Sequence, residues 1–359
     1  MDPMEYYIYQ IPDVLMENIS RRGQLTKALL DVFAGYSDKA AVIIVASGSS
    51  YNGACCARHF MQQHMKRDVR IITPFEYSYY HRETTDDLYL FVSQSGSSTN
   101  ILRAIRTASE RGRKTILLTA KEKSAAATAA DQVILYGAGE ETVGYVTKGV
   151  STLILFLMLF ALGFEERCSA EDTEKGHGVA AKSNISEMEI AAVNHLKVRK
   201  RAQQFCLEQM EKLVAMKNVF MIGCGSNMGT ASEGALKLSE MLHVQTSVYE
   251  AEEFLHGPDL QLTPDYTLFF IDGGDEAGKR VRQIHEATLQ ITNRSYLISA
   301  GDYEYTEETL TPLFLLAFFQ YLAYRVAKEA GIRKEHPLYE RYEEKIAGKV
   351  EGYTEEDPF

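Results

Sequence analysis

From residue 11 to residue 34, apolar and polar side chains alternate at helical spacing, with Leu15, Ile19, Leu25, Leu29, Leu30 and Phe33 as the apolar positions. That spacing places them on one helix face, so one or two amphipathic helices are expected before any strand. The rhythm then changes. Short apolar runs at 41–46, 69–73, 88–92, 115–119 and 133–136 alternate with stretches of helical length, the pattern of a parallel sheet whose crossovers are helices. The most apolar run, 153–164, predicts a buried helix; it is well short of the roughly 18 to 20 residues a membrane span requires. A charged stretch from Glu165 to Gly176 and a helical segment over 185–213 follow. Strand rhythm restarts at 218–222, 247–249, 267–271 and 295–299 and closes on an apolar helix over 313–330.

The organisation predicted from this pattern has five parts. Residues 1–36 form a helical segment that looks like a lid or dimer arm. Residues 37–165 form a first α/β unit, 166–212 a charged linker and long helix, 213–333 a second α/β unit, and 334–359 a polar, aromatic tail. The second unit repeats the first: Ile44-Val45-Ala46-Ser47-Gly48-Ser49-Ser50 and Met221-Ile222-Gly223-Cys224-Gly225-Ser226-Asn227 both run strand, small-residue turn, helix start. Two motifs half a chain apart point to internal duplication. A length of 359 residues with 45% hydrophobic content supports two cores.

A net charge of −11 argues against nucleic acid or an anionic membrane as partner, so an anionic ligand must be held locally. Five cysteines without a C-x-x-C spacing predict neither a disulfide framework nor a metal site. The acidic start, Met1-Asp2-Pro3-Met4-Glu5, lacks the basic and apolar regions of a secretory signal. A cytoplasmic protein is expected.

Four constellations carry chemistry. Ser47-Gly48-Ser49-Ser50-Tyr51-Asn52-Gly53 joins a strand to a helix, where backbone amides and hydroxyls converge as a phosphate needs; an ordinary serine cap is the alternative. Ser93-Gln94-Ser95-Gly96-Ser97-Ser98-Thr99-Asn100 follows another strand, and adjacent strands would make the two loops one phosphate cup. Neither is a Walker loop. In Glu233-Gly234-Ala235-Leu236-Lys237-Leu238-Ser239-Glu240 the two carboxylates and the ammonium share a helix face, either as a solvated salt-bridge face or as a general base beside a cation. In Glu252-Glu253-Phe254-Leu255-His256-Gly257-Pro258, the His256 imidazole suits proton transfer in sugar ring opening. The remaining histidines carry no such setting.

Together these residues resemble the sugar isomerase (SIS) family, specifically tandem SIS proteins related to the isomerase module of glucosamine-6-phosphate synthase. The resemblance runs from about Ala40 to Lys349 and is most specific at Ser93-Gln94-Ser95-Gly96, Glu233 to Glu240 and His256-Gly257-Pro258. It implies α/β architecture with two tandem SIS domains, each a doubly wound, flavodoxin-like αβα sandwich on a parallel sheet. It further implies that Ser49, Ser50, Ser93, Gln94, Ser95 and Ser98 grip a sugar phosphate, with Ser47 where the synthase has cysteine. Glu240 matches the base that moves a proton between C1 and C2, Lys237 is its neighbour, and His256 matches a ring-opening histidine contributed across a homodimer interface. No cofactor or metal is implied.

Three departures shape the expected function. The chain goes directly to the SIS pair without a glutaminase segment, so amidotransfer is not expected. The family's Ala-Ser-Thr-Lys stretch becomes Tyr145-Val146-Thr147-Lys148, altering the contacts of Tyr145 and Lys148 near C2. His336-Pro337-Leu338 and Gly348-Lys349-Val350-Glu351 look closer to fructosamine-6-phosphate deglycases, making Lys349, or else Lys345, the tail lysine that reaches the open-chain sugar. The expectation is an aminosugar-phosphate deglycase or deaminase, or an aldose-ketose isomerase. The alternative is a regulatory phosphosugar-binding protein. The second glycine turn is expected to hold no phosphate because Asp272, Asp275 and Glu276 would repel it.

Overall fold

The structure, a computed structural model, describes residues 2–332 except 85, 143, 172–177 and 306, together with 342, 345, 346, 348 and 349. Part of the charged stretch (172–177) and the tail motifs at 336–338 and 350–351 lie outside the described residues. The first unit runs α1 (Pro3–Ser20), α2 (Arg22–Phe33), β1 (Val42–Val45), α3 (Gly48–Met65), β2 (Val69–Ile72), α4 (Pro74–Tyr79), β3 (Leu88–Val92), α5 (Thr99–Glu110), β4 (Ile116–Thr119), α6 (Ala125–Ala129) and β5 (Gln132–Leu135). Two long helices, α7 (Lys148–Glu171) and α8 (Gly178–Val214), lead to β6 (Asn218–Gly223), α9 (Asn227–Leu242), β7 (Gln245–Glu250), β8 (Thr267–Asp272), α10 (Glu276–Thr288), β9 (Ser295–Ser299) and α11 (Pro312–Ala330).

Among the described residues the paired strands all run parallel, in sheets ordered β2-β1-β3-β4-β5 and β7-β6-β8-β9. The shared order of the first four strands is the duplication seen in the glycine turns. Each sheet is covered on both faces, as parallel sheets require. Val42 and Ile44 of β1 face the core with α3 and α7, whereas Ile43 and Val45 pack with Tyr77, Ile101 and Ile105 on the other side. In the second sheet Val219 and Met221 face the common core, and Phe220 and Ile222 pack on Phe254, Val281 and Ile284.

The N-terminal segment is not a lid. Ile8, Ile11, Leu15 and Ile19 of α1 are fully buried in the main core, and Asn18 Nδ2 donates to the Gly137 carbonyl at 3.1 Å. A helix whose apolar stripe fills the core cannot swing without exposing that stripe to water. The apolar run at 153–164 belongs to the longer α7, which starts at Lys148 because a carboxylate satisfies its first amides. The stretch from Lys148 to Ser169 is long and apolar enough to cross a membrane, but 78% of an apolar 18-residue window of it is buried inside the fold.

The two units meet through α3 and α9. A Cβ at Gly229 of α9 would lie 2.5 Å from both the backbone nitrogen and the sulfur of Cys56 on α3. Only a glycine lets these helices approach so closely. The contact carries the N-terminal turn of α3 up to the face of α9 that holds Glu233 and Lys237.

Candidate functional site

Strand order reverses between β1 and β3, where a chain that left β1 toward β2 returns on the opposite side; ligands bind at such switch points. Val45 and Phe91 are paired across the two strands, so the loops that follow emerge side by side. They enclose a cavity of about 690 Å³ lined by Ser47, Ser49 and Ser50 from the first loop and Ser93, Gln94, Ser95 and Ser98 from the second. Asn100 Nδ2 joins the loops by donating to Ser47 Oγ at 3.2 Å. Ser47 and Ser98 cap α3 and α5 in extended conformations, yet neither side chain bonds a helix amide. Both helix starts therefore direct amides and the positive ends of their dipoles toward one space, with hydroxyls around it.

The second loop is rigidly folded. Ser95 Oγ and Ser97 Oγ are 2.8 Å apart, and Ser93 Oγ accepts from the Gly96 amide at 3.1 Å. Gly96 has φ +65°, and a Cβ there would fall 1.9 Å from Ser124 Oγ. Glycine is required for both conformation and space.

Lys349 lines the same cavity, because it forms an antiparallel bridge with Ser98 while the Gly348 carbonyl accepts from the Thr99 amide at 3.3 Å. Gly348 and Lys349 thus lie against the first turn of α5, and Lys349 adds a cationic residue to the wall. Lys121, after β4, is a second cation of the wall that sequence reasoning did not select. Lys345 is not among the lining residues.

Glu141 was also missed, and it organises the far wall. Its Oε1 accepts from the amides of Thr147 and Lys148, both at 2.9 Å, and its Oε2 accepts from the Gly149 amide at 2.9 Å and Gln94 Nε2 at 2.5 Å. One carboxylate therefore caps α7 and fixes Gln94. Glu141→Ala is expected to lower unfolding stability by about 2 kcal/mol in denaturant titrations and to weaken anion binding in the cavity through the released Gln94. Unchanged stability and affinity would remove it from this role.

The equivalent helix start in the second unit is closed by the protein itself. The Ser226 amide donates to Glu308 Oε1 at 2.7 Å, and Asn227 Nδ2 lies 3.5 Å from the same oxygen. Burial pushes the Glu308 carboxyl above its ordinary range. The acids expected to repel phosphate there are engaged elsewhere: buried Asp272 bonds Arg282 and Ser299 Oγ, and Asp275 caps α10. Glu308 occupies the anion position instead, and no local sequence signal marks it because it acts from 82 residues away.

The face of α9 is not a solvated salt-bridge face at its core. Glu233 and Lys237 are fully buried, and Glu240 is partly exposed. Ser49 Oγ donates to Glu233 Oε1 at 2.8 Å, and Asn52 Nδ2 donates to Glu233 Oε2 at 2.9 Å. Lys237 Nζ lies 3.4 Å from Glu233 Oε1 and donates to Glu240 Oε2 at 2.6 Å. Burial pushes the Glu233 carboxyl upward; burial alone would push the Lys237 ammonium down, but the two carboxylates together hold it above its ordinary value.

This network revises the roles given to several residues. Ser49 lines the cavity, but its hydroxyl proton is committed to Glu233, leaving the backbone amide as its means of holding an anion. Lys148 does not face the cup: its Nζ donates to the Glu140 carbonyl at 2.9 Å and to Gln10 Oε1 at 3.3 Å, over the Tyr7 ring. Tyr145 lines a neighbouring cavity. Glu240, Lys237 and His256 are not among the residues lining the serine-rich cavity; Glu240 is linked to it through Lys237, Glu233 and Ser49, while His256 stands exposed on its own loop. Among the described residues no group of acids, histidines and cysteines could hold a metal ion.

Comparison with known proteins adds to this geometry. A family model described as SIS domain matches residues 35–162 and 212–293. A glutamine–fructose-6-phosphate aminotransferase (isomerizing) of Thermococcus kodakarensis is 25% identical over 346 residues, covering 92% of this chain and 56% of that protein. The chain spans about half the length of the curated relatives it matches. A Clostridium difficile 630 protein, provisionally titled a phosphosugar isomerase, superposes with TM-score 0.83 at 23% identity, over 97% of this chain and 99% of that one. The C-terminal domain of glucosamine-fructose-6-phosphate aminotransferase from Francisella tularensis gives TM-score 0.77 at 19% identity, over 94% and 98%.

Proposed function

Because the chain belongs to the SIS domain family, we propose that it is a phosphosugar-processing enzyme that transfers a proton between C1 and C2 of a sugar or aminosugar 6-phosphate. The observation that carries this reading is the cup at the switch point, with two helix starts and Lys349 directed at one cavity while Glu141 and Glu308 close the starts of α7 and α9. The α3 start is left open, and at the α5 start the Gly348 carbonyl takes the Thr99 amide and Asn100 Oδ1 the Ile101 amide, so an anion is drawn to the α3 amides, the surrounding hydroxyls and Lys349.

With the phosphate held there, the six-carbon chain is fixed in register and its C1–C2 end reaches toward α9. Glu240 takes the proton, and Lys237 or Lys349 steadies the negative oxygen of the enolate. His256 of a partner subunit assists ring opening in a homodimer. In a 1-amino-ketose phosphate, moving a proton from C1 to C2 converts the C1–N bond to an imine. Water adds at C1, the C–N bond breaks, and an aldose phosphate and the free amine leave. Without an amine, the same transfer interconverts aldose and ketose. Deglycation or deamination ranks ahead of isomerisation because the tail resembles the deglycases.

A second reading, a regulatory phosphosugar-binding protein, is favoured by the absence of Glu240 and His256 from the cavity wall. One experiment separates them. Incubation in heavy water with fructose 6-phosphate, glucosamine 6-phosphate and amino-acid conjugates of fructosamine 6-phosphate is expected to release amine and label C1 or C2 with deuterium. Label without amine would make the protein an isomerase, and tight binding with neither would make it a regulator.

A further inference from the structure

A second cavity, of about 380 Å³, lies on the other side of the loop bearing Thr142 and Gly144, two residues that line both cavities. Its opposite wall comes from the C-terminal end of α9 and from α11. Met241, the residue after Glu240, lines it, as do Met4 and Ile332. These give an apolar surface, and Tyr145 and Tyr324 give aromatic edges. Lys328 is the one cation of the wall among the described residues. Its ammonium donates to Tyr324 Oη at 2.9 Å, and Tyr324 in turn donates to Glu5 Oε2 at 2.9 Å. A lysine has three donors, so two remain for a ligand. The Asp2 carboxylate at the same cavity is engaged, accepting from the Met4 amide at 3.0 Å.

We propose that this cavity is the subsite for the leaving amine: an α-amino acid joined through its nitrogen to the C1 end of the sugar phosphate, with its carboxylate on Lys328 and an apolar side chain against Met4, Met241 and Ile332. The proposal rests on the enzymatic reading above and names its substrate class. The two cavities share Thr142 and Gly144 as lining residues, so a ligand with phosphate in one and an amino acid in the other would lie across these two residues. Its C1–C2 bond then falls beside the end of α9, where Glu240 stands. Lys328 is the cation that can pair with one carboxylate, the apolar part of the wall takes one apolar side chain, and the Asp2 carboxylate beside them disfavours a second, doubly charged phosphate.

Binding tests this independently of turnover. The valine conjugate of fructosamine 6-phosphate, reduced at C2 so that it cannot be cleaved, is compared by calorimetry with the reduced isobutylamine conjugate, which lacks only the carboxylate. The full chain is expected to bind the valine compound roughly tenfold more tightly, and Lys328→Met to erase that difference without weakening the isobutylamine compound; Lys328→Arg keeps most of it. Equal affinities in the unsubstituted protein, or an equal loss for both compounds in Lys328→Met, would overturn the subsite. Cleavage of the unreduced valine conjugate is measured separately. Preferential binding without cleavage keeps the subsite and removes the enzymatic reading; cleavage with equal binding does the reverse.

Discussion

Lys237→Met is expected to destabilise the protein by about 3 to 5 kcal/mol at neutral pH, because it leaves the Glu233 carboxylate buried without its cation. Glu233 and Lys237 are fully buried at the junction of α3 and α9, 3.4 Å apart. The serine and asparagine bonds to Glu233 supply hydrogen-bond donors but no charge. Replacing both members, Glu233→Met with Lys237→Met, is expected to cost less than the single change, since no charge is then left unpaired.

The pH dependence has a definite sign. Burial already raises the Glu233 carboxyl in the folded state, and removing Lys237 takes away the group that opposes that shift most strongly. A carboxyl whose folded value lies above its unfolded value binds more protons in the folded state, so stability falls as pH rises through the folded value. The deficit of Lys237→Met is therefore smallest below the ordinary carboxylate range and grows toward neutrality. Urea unfolding at pH 5 and pH 8 measures it; a deficit that is the same at both values, or larger at pH 5, would show that Glu233 is not the stranded charge. In the unsubstituted protein the raised Lys237 makes the opposite end visible, with stability lost as pH rises above the ordinary lysine value.

Glu240→Gln is expected to reduce turnover by roughly 10² to 10⁴ with KM and sugar-phosphate affinity almost unchanged. Glutamine keeps the shape and can still meet Lys237, but it cannot accept the C1 or C2 proton. Glu240 does not line the phosphate cavity, so ground-state binding has no reason to change. A fall in kcat and kcat/KM together, with loss of deuterium exchange, marks an interaction made only in the transition state. Unchanged turnover would take Glu240 out of the mechanism and strengthen the regulatory reading.

Much of the fold was legible along the chain. The runs at 88–92 and 295–299 coincide with β3 and β9, and the other strands differ by one or two residues at their ends. Strands buried on both faces leave continuous apolar runs, and the helices between them leave their own period, so local sequence suffices. The serine loops were legible for the same reason: a small polar cluster between a strand and a helix can only stand at a strand's carboxyl end. The least legible helix was α7, whose polar first turn is helical because Glu141 takes its first two amides and that of Thr147 just before it.

The sequence by itself determined the alternation of strands and helices, the duplication, and which two loops hold hydroxyls for an anion. All of these depend on residues close together in the chain, whose spacing dictates backbone conformation. Only the tertiary structure decided which helix starts remain open, that the α9 face is buried, that Ser49 serves Glu233, and that a second cavity backs onto the first. Each of those rests on a charge or a wall brought from a distant segment: Glu308 to Ser226, Glu233 to Ser49, Lys349 to Ser98, and α11 to the loop at Thr142. A buried donor or charge takes whichever partner folding brings within reach, and spacing along the chain does not encode that choice.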